Sequence, residues 1–217
     1  MGSFLVNLHL RTADRKSLQR ELEDRGCQAW VTDAQQGWTT LYESRASEQD
    51  ENWIRELGSE LTRSLQTSGI AFLVHDSDIF CYWLFENGEL ADHFNSCPDY
   101  FSETEIGAGP LIEDPARLLK YCKPGTTRED VEAILTEGTV FAEDLLEKLA
   151  GLLDLDPARV HCDFRDFEED PPEDFPAVFV GTKSPRGRAS SRSFLQLHSE
   201  DVEEGDDGTC GGPQGRS

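Results

Sequence analysis

The chain has 217 residues, with 43 acidic against 20 basic side chains, a formal net charge of -23 and only 37% hydrophobic content. That length holds one good-sized domain or a pair of small ones, and so low an apolar fraction leaves part of the chain outside any core. The negative field repels phosphate backbones and anionic lipid heads, which argues against direct nucleic-acid or membrane binding, and it attracts basic protein surfaces.

From Phe4 the apolar residues Phe4, Val6, Leu8 and Leu10 alternate with Leu5, Asn7, His9 and Arg11, the period of a strand with one clearly apolar face. No basic segment followed by an apolar one precedes it, and the longest apolar run, Ile79 to Phe85, is far too short for a bilayer. A cytoplasmic protein is the expectation. Thr12 and Asp14 are candidate caps of a short helix that carries Leu18 and Leu22 and ends at Gly26. Cys27 to Thr32 and Trp38 to Tyr42 are aromatic and β-branched around the turn residues Asp33 to Gly37, which predicts a hairpin.

Ser47 with Asp50 resembles a capping box, and Trp53, Ile54, Leu57, Leu61 and Leu65 then recur at helical spacing up to Gly69. Ile70 to His75 and Ile79 to Phe85 are apolar on both faces, and Asn87-Gly88 turns the chain into Leu90 to Asn95, giving a three-stranded meander. The order up to residue 97 matches a ferredoxin-like βαββαβ antiparallel sheet extended by one hairpin, an α+β class in which helices cover one face.

Residues 98–181 change character, and are expected to form a small helical subdomain or to pack on the open face of the sheet. Asp114-Pro115, Thr127 and Thr139 open three short helical segments, Arg159 to Phe164 reads as an edge strand, and Ala177 to Val180 is a last apolar run. From Thr182 to the end Gly, Ser, Pro and charge dominate, with a basic cluster at Lys183, Arg186, Arg188 and Arg192, which predicts a disordered tail over 182–217.

The most pointed local feature is Asp76-Ser77-Asp78 after an apolar strand, where a pair of carboxylates could hold a divalent cation, with His75 or His93 assisting. It resembles the strand-end Asp-x-Asp of nucleotide-sugar glycosyltransferases over a short stretch only, and the chain lacks the series of βα units that those enzymes place before it. The competing reading is a plain hairpin turn, for which Asp and Ser are favoured. Asp92 and His93 point to opposite faces of one strand, so they cannot both join such a site, and a solvated sheet edge is their simpler reading.

Zinc sites announce themselves by close ligand pairs, and His93, Cys97, Cys122 and His161-Cys162 would have to come from unrelated elements. The six cysteines, Cys27, Cys81, Cys97, Cys122, Cys162 and Cys210, are scattered without a Cys-x-x-Cys and are expected as free thiols. An acidic neighbourhood dulls Cys97 as a nucleophile. Gly107-Ala108-Gly109 runs into Pro110 and so lacks the context of a phosphate loop, and no catalytic signature appears.

The reading that follows is a non-enzymatic, acidic protein-interaction module without a cofactor, inhibitor-like or adaptor-like, which binds a basic protein partner. The alternative is a divalent-metal-binding domain or metal-dependent enzyme with Asp76, Asp78 and His93 as ligands.

Overall fold

The computed structural model describes residues 2–12, 14–100, 109–173 and 175–181; the expected tail and the Gly107-Ala108 pair lie outside them. Strand β1 (Leu5–Leu10) sits inside the sheet and is buried along its whole length, Val6, Leu8 and Leu10 on one face and Leu5, Asn7 and His9 on the other. Helix α1 (Arg15–Asp24) starts at Asp14, whose side chain accepts from the Ser17 N–H, and Gly26 leaves it with φ of 67°. The hairpin is β2 (Ala29–Thr32) with β3 (Thr39–Glu43).

Helix α2 (Glu51–Ser64) is capped by Asp50, not by the Ser47 capping box expected from the sequence. Ser47 belongs instead to a 3₁₀ turn, Ala46–Glu48, and its hydroxyl turns inward to Asp163. The helix also ends before Gly69, which is already in β4 (Ser68–His75). The meander continues with β5 (Ile79–Glu86) and β6 (Glu89–Asn95).

Among the described residues these strands, with β7 (Leu111–Ile112) and β8 (Ala177–Val180), form one eight-stranded antiparallel sheet in the order β7-β6-β5-β4-β1-β3-β2-β8. Its edges are β7 and β8, two strands beyond the single added hairpin expected. Both are too short to carry a pattern of their own. The edge strand expected at 159–164 does not form: the chain there makes helices α5 (Pro157–Val160) and α6 (Phe164–Glu169), capped by Asp156 and Asp163. Two side-chain caps outweigh the alternation of a few apolar residues.

Helices α1 and α2 cover one face, over Val6, Leu8, Leu10, Leu73, Cys81 and Phe85. The other face, with Phe72, Val74, Phe80, Tyr82 and Phe94, is covered by the 3₁₀ segment Pro115–Tyr121, α3 (Arg128–Leu135), α4 (Ala142–Leu152) and Val160 of α5. The helical segments therefore bury their apolar sides on the sheet, as helices this short require. A smaller cluster seats α6 on the hairpin through Tyr42, Phe164, Phe167 and Phe175. No helix among the described residues is long and apolar enough to cross a membrane.

Candidate functional site: an acidic groove at the end of the sheet

Where β1 enters, β3 leaves and β4 ends, a groove opens in two compartments. The wider, about 530 Å³, is lined by Phe4, Ser44, Ser47, Glu48, Gln49, His75, Phe164, Arg165 and Glu168. The narrower, about 290 Å³, has Leu73, Ile79 and Cys81 as its floor and Glu51, Asn95, Cys97 and Pro98 around it. Glu48, Gln49 and His75 line both and form the shared wall.

That wall is held rigidly. Gln49, at φ of 64°, donates from Nε2 to the Val74 carbonyl at 2.7 Å, and its Oε1 meets His75 Nδ1 at 2.6 Å. The His75 ring is met edge-on by Phe4 at 4.9 Å and by Tyr100 at 5.9 Å. The far side is set by buried Asp163, whose carboxylate accepts from the Val6 N–H at 2.9 Å, from the Arg165 N–H at 3.1 Å and from the Ser47 hydroxyl. Arg165 closes the clamp by donating from Nη2 to the Ser47 carbonyl at 2.7 Å. A buried carboxylate with several donors is well compensated, so α6 is tied to both β1 and the 3₁₀ turn.

Among the described residues, Glu48, Glu51 and Glu168 make no side-chain hydrogen bond or ion pair. Some acidic residues elsewhere are paired, Glu21 and Glu60 with Arg25, Glu86 with Lys120 and Glu137 with Lys148, while others such as Glu23, Asp24, Glu56 and Glu89 are as open as the groove's three. The groove's field reaches its floor, since the Cys81 thiol is pushed far up by burial and then by the charge of Glu51. Partial burial and the hydrogen bond to Asp99 raise the Cys97 thiol as well, so neither sulfur is an activated nucleophile. Among the described residues Arg165 is the one cation in the lining, and it lies 3.4 Å from Asp163 and is largely balanced by it.

The residues singled out in the sequence lie elsewhere or apart. Asp76 and Ser77 have φ of 50° and 60°, and the Asp78 N–H donates to the His75 carbonyl at 3.0 Å, as in the tight turn of a hairpin. This turn is a packing junction: Ser77 Oγ accepts from the Ser3 N–H at 2.8 Å and donates to Glu143 at 2.6 Å, and the Ala142 N–H donates to the Ser77 carbonyl. Asp78 accepts from Tyr100 at 3.3 Å. His93 is opposite Trp83 on the α2 side of the sheet, with Glu113 3.1 Å from its Nδ1, well along β5 from the Asp76 turn.

Asp92 is not at a solvated edge. It is fully buried on the opposite face, accepting from Tyr82 at 2.7 Å and from the Asp114 N–H at 2.9 Å. Cys97, Cys122 and Cys162 belong to three different apolar clusters. Among the described residues no group of three or more His, Cys, Asp or Glu side chains is placed to hold a metal ion.

Sequence reasoning missed the groove because its lining comes from Phe4 before β1, the 3₁₀ turn, β4, β5 and α6, with no local spacing to join them. No family model, curated protein or solved structure matches this chain.

Proposed function

We propose that the protein is a non-enzymatic interaction module that docks a basic segment of a partner protein in the groove at the end of its sheet. The observation that carries this is the set of unpaired carboxylates, Glu48, Glu51 and Glu168, around an aromatic and aliphatic lining. Each is free to meet an incoming Lys or Arg without breaking an existing pair, and the net charge of -23 speeds the encounter. The same charge disfavours nucleic acid as the partner.

Two features support the setting of this reading. The run β4-β1-β3-β2, antiparallel throughout and with α1 and α2 on one face, fits the ferredoxin-like plan, to which β5 and β6 add a hairpin. The five described cysteines are free thiols, in keeping with a reducing, cytoplasmic setting. The alternative, a divalent cation at Asp76, Asp78 and His93, has less to support it, since His93 is remote from the turn and Asp78 already has a partner.

The test is quantitative capture from source lysate at low and high salt, by wild type and by the triple variant Glu48→Lys/Glu51→Lys/Glu168→Lys. A basic partner retained by wild type at low salt, and lost both at high salt and with the variant, supports the proposal. Capture that the variant leaves unchanged overturns it.

A further inference from the structure

Both compartments carry unpaired glutamates, Glu48 with Glu168 in the wide one and Glu48 with Glu51 in the narrow one, and they differ in their apolar part, aromatic in the first and aliphatic in the second. In the wider one Phe4 is 40% exposed, with Glu48 and Glu168, both unpaired, in the same lining. Because Arg165 is balanced by Asp163, the field there is set by the glutamates. A cation between an aromatic ring and carboxylates gains from both. In the narrower compartment the floor of Leu73, Ile79 and Cys81 is apolar, and about 290 Å³ admits one branched aliphatic side chain.

The compartments share a single wall, Glu48-Gln49-His75, so their occupants are near neighbours. An extended chain projects residues i and i+2 to the same side, roughly 7 Å apart, which suits neighbouring compartments that share a wall. We infer that the groove takes an extended segment with a lysine or arginine at one position and a leucine, isoleucine or valine two residues away. The cation lies between Phe4 and Glu168, and the aliphatic group rests on Leu73, Ile79 and Cys81. This inference rests on the docking function proposed above and deepens it.

Fluorescence anisotropy on the full chain tests it with three labelled probes: Gly-Ser-Arg-Ser-Leu-Ser-Gly, the same peptide with Glu for Arg, and the same peptide with Ser for Leu. The first is expected to bind about tenfold more tightly than either of the others. Glu168→Lys should abolish the preference for Arg and keep that for Leu, and Cys97→Phe, which fills the narrow compartment, should do the reverse. Circular dichroism and the retained half of the preference show that each variant is folded.

Loss of only the Leu preference in the wild type overturns this inference and leaves the basic-partner reading standing. Equal binding of the Arg and Glu probes sinks both. Tighter binding of the Glu probe would mark the groove as a site for anionic ligands and overturns both as well.

Discussion

The imidazole Nε2 of His9 lies 2.7 Å from Oδ1 of Asn7, its neighbour on the same face of β1, with both side chains fully buried. The Asn7 amide nitrogen donates to the carbonyls of Val160 at 2.8 Å and Cys162 at 3.0 Å, so its oxygen is left as an acceptor. His9 must therefore carry its proton on Nε2, and its Nδ1 accepts from the Thr40 hydroxyl at 2.9 Å. The chain of bonds runs on through Thr32, which accepts from the Thr40 N–H and from Arg159 Nη1 at 3.1 Å each. This polar seam ties residues 159–163, and with them Asp163 and the groove, to the middle of the sheet.

Replacing Asn7 with Ala strands the buried His9 N–H and Val160 carbonyl and the half-buried Cys162 carbonyl. Each costs about 1–3 kcal/mol when left unpaired, so Asn7→Ala is expected to lose at least about 3 kcal/mol in urea unfolding. Loss of under about 1 kcal/mol would mean that the seam is not closed as described.

The seam also makes stability depend on pH. Burial, and then the charge of Arg159, push the His9 pKa down from 6.5 to about 3. A depressed folded-state pKa means that the unfolded chain takes up the proton first. The His9 contribution is thus whole above pH 6.5 and is lost as pH falls toward 3, at about 1.4 kcal/mol per pH unit. Urea titrations of wild type should fall between pH 6.5 and 4.5. Those of His9→Gln should start lower and stay flat over that range.

Much of the sheet was legible because its evidence is local. Alternation marks β1, the Asn87-Gly88 turn marks the meander, and the spacing of Ile54, Leu57 and Leu61 marks α2. What was not legible depends on residues far apart. Asn7 and His9 look like the polar side of a half-buried strand until residues 160–163 cover them. Val160, Cys162 and Phe164 alternate as a strand would, and only the Asp156 and Asp163 caps make helices there. The groove's Phe4, Glu48, His75 and Glu168 meet only in the folded sheet.

Gly58 faces the sheet in the middle of α2, where an added Cβ would run into the ring edge of Phe85, itself buried. In an exposed helix Gly→Ala gains about 1 kcal/mol. Here the ring has to move in a packed core, and Gly58→Ala is expected to cost about 1–3 kcal/mol instead. Made in a Phe85→Leu background, where the ring edge is gone, the same change should cost at least about 1 kcal/mol less. Additive unfolding free energies would show that the contact does not set the helix's distance from the sheet.

The Asp76 turn separates a structural junction from a cation site by experiment. Ser77 Oγ bonds both the Ser3 N–H and Glu143, so Ser77→Ala should cost about 1–2 kcal/mol. Burial alone would raise the Glu143 carboxyl, yet bonds from Ser3 and Ser77 outweigh it and hold its pKa below the usual value. That pKa should therefore climb in Ser77→Ala, as NMR titration of the carboxyl would record. Asp76→Asn/Asp78→Asn should keep both the fold and the Glu143 titration, because neither carboxylate is part of that bonding. A ligand that binds only the folded state raises the melting temperature, so a bound divalent ion has a direct readout. With Mg, Mn, Ca or Zn ions the wild type and the double Asn variant are expected to melt alike. A rise confined to the wild type would mean that Asp76 and Asp78 hold the ion, and the docking function would then have to share this end of the sheet with a metal centre.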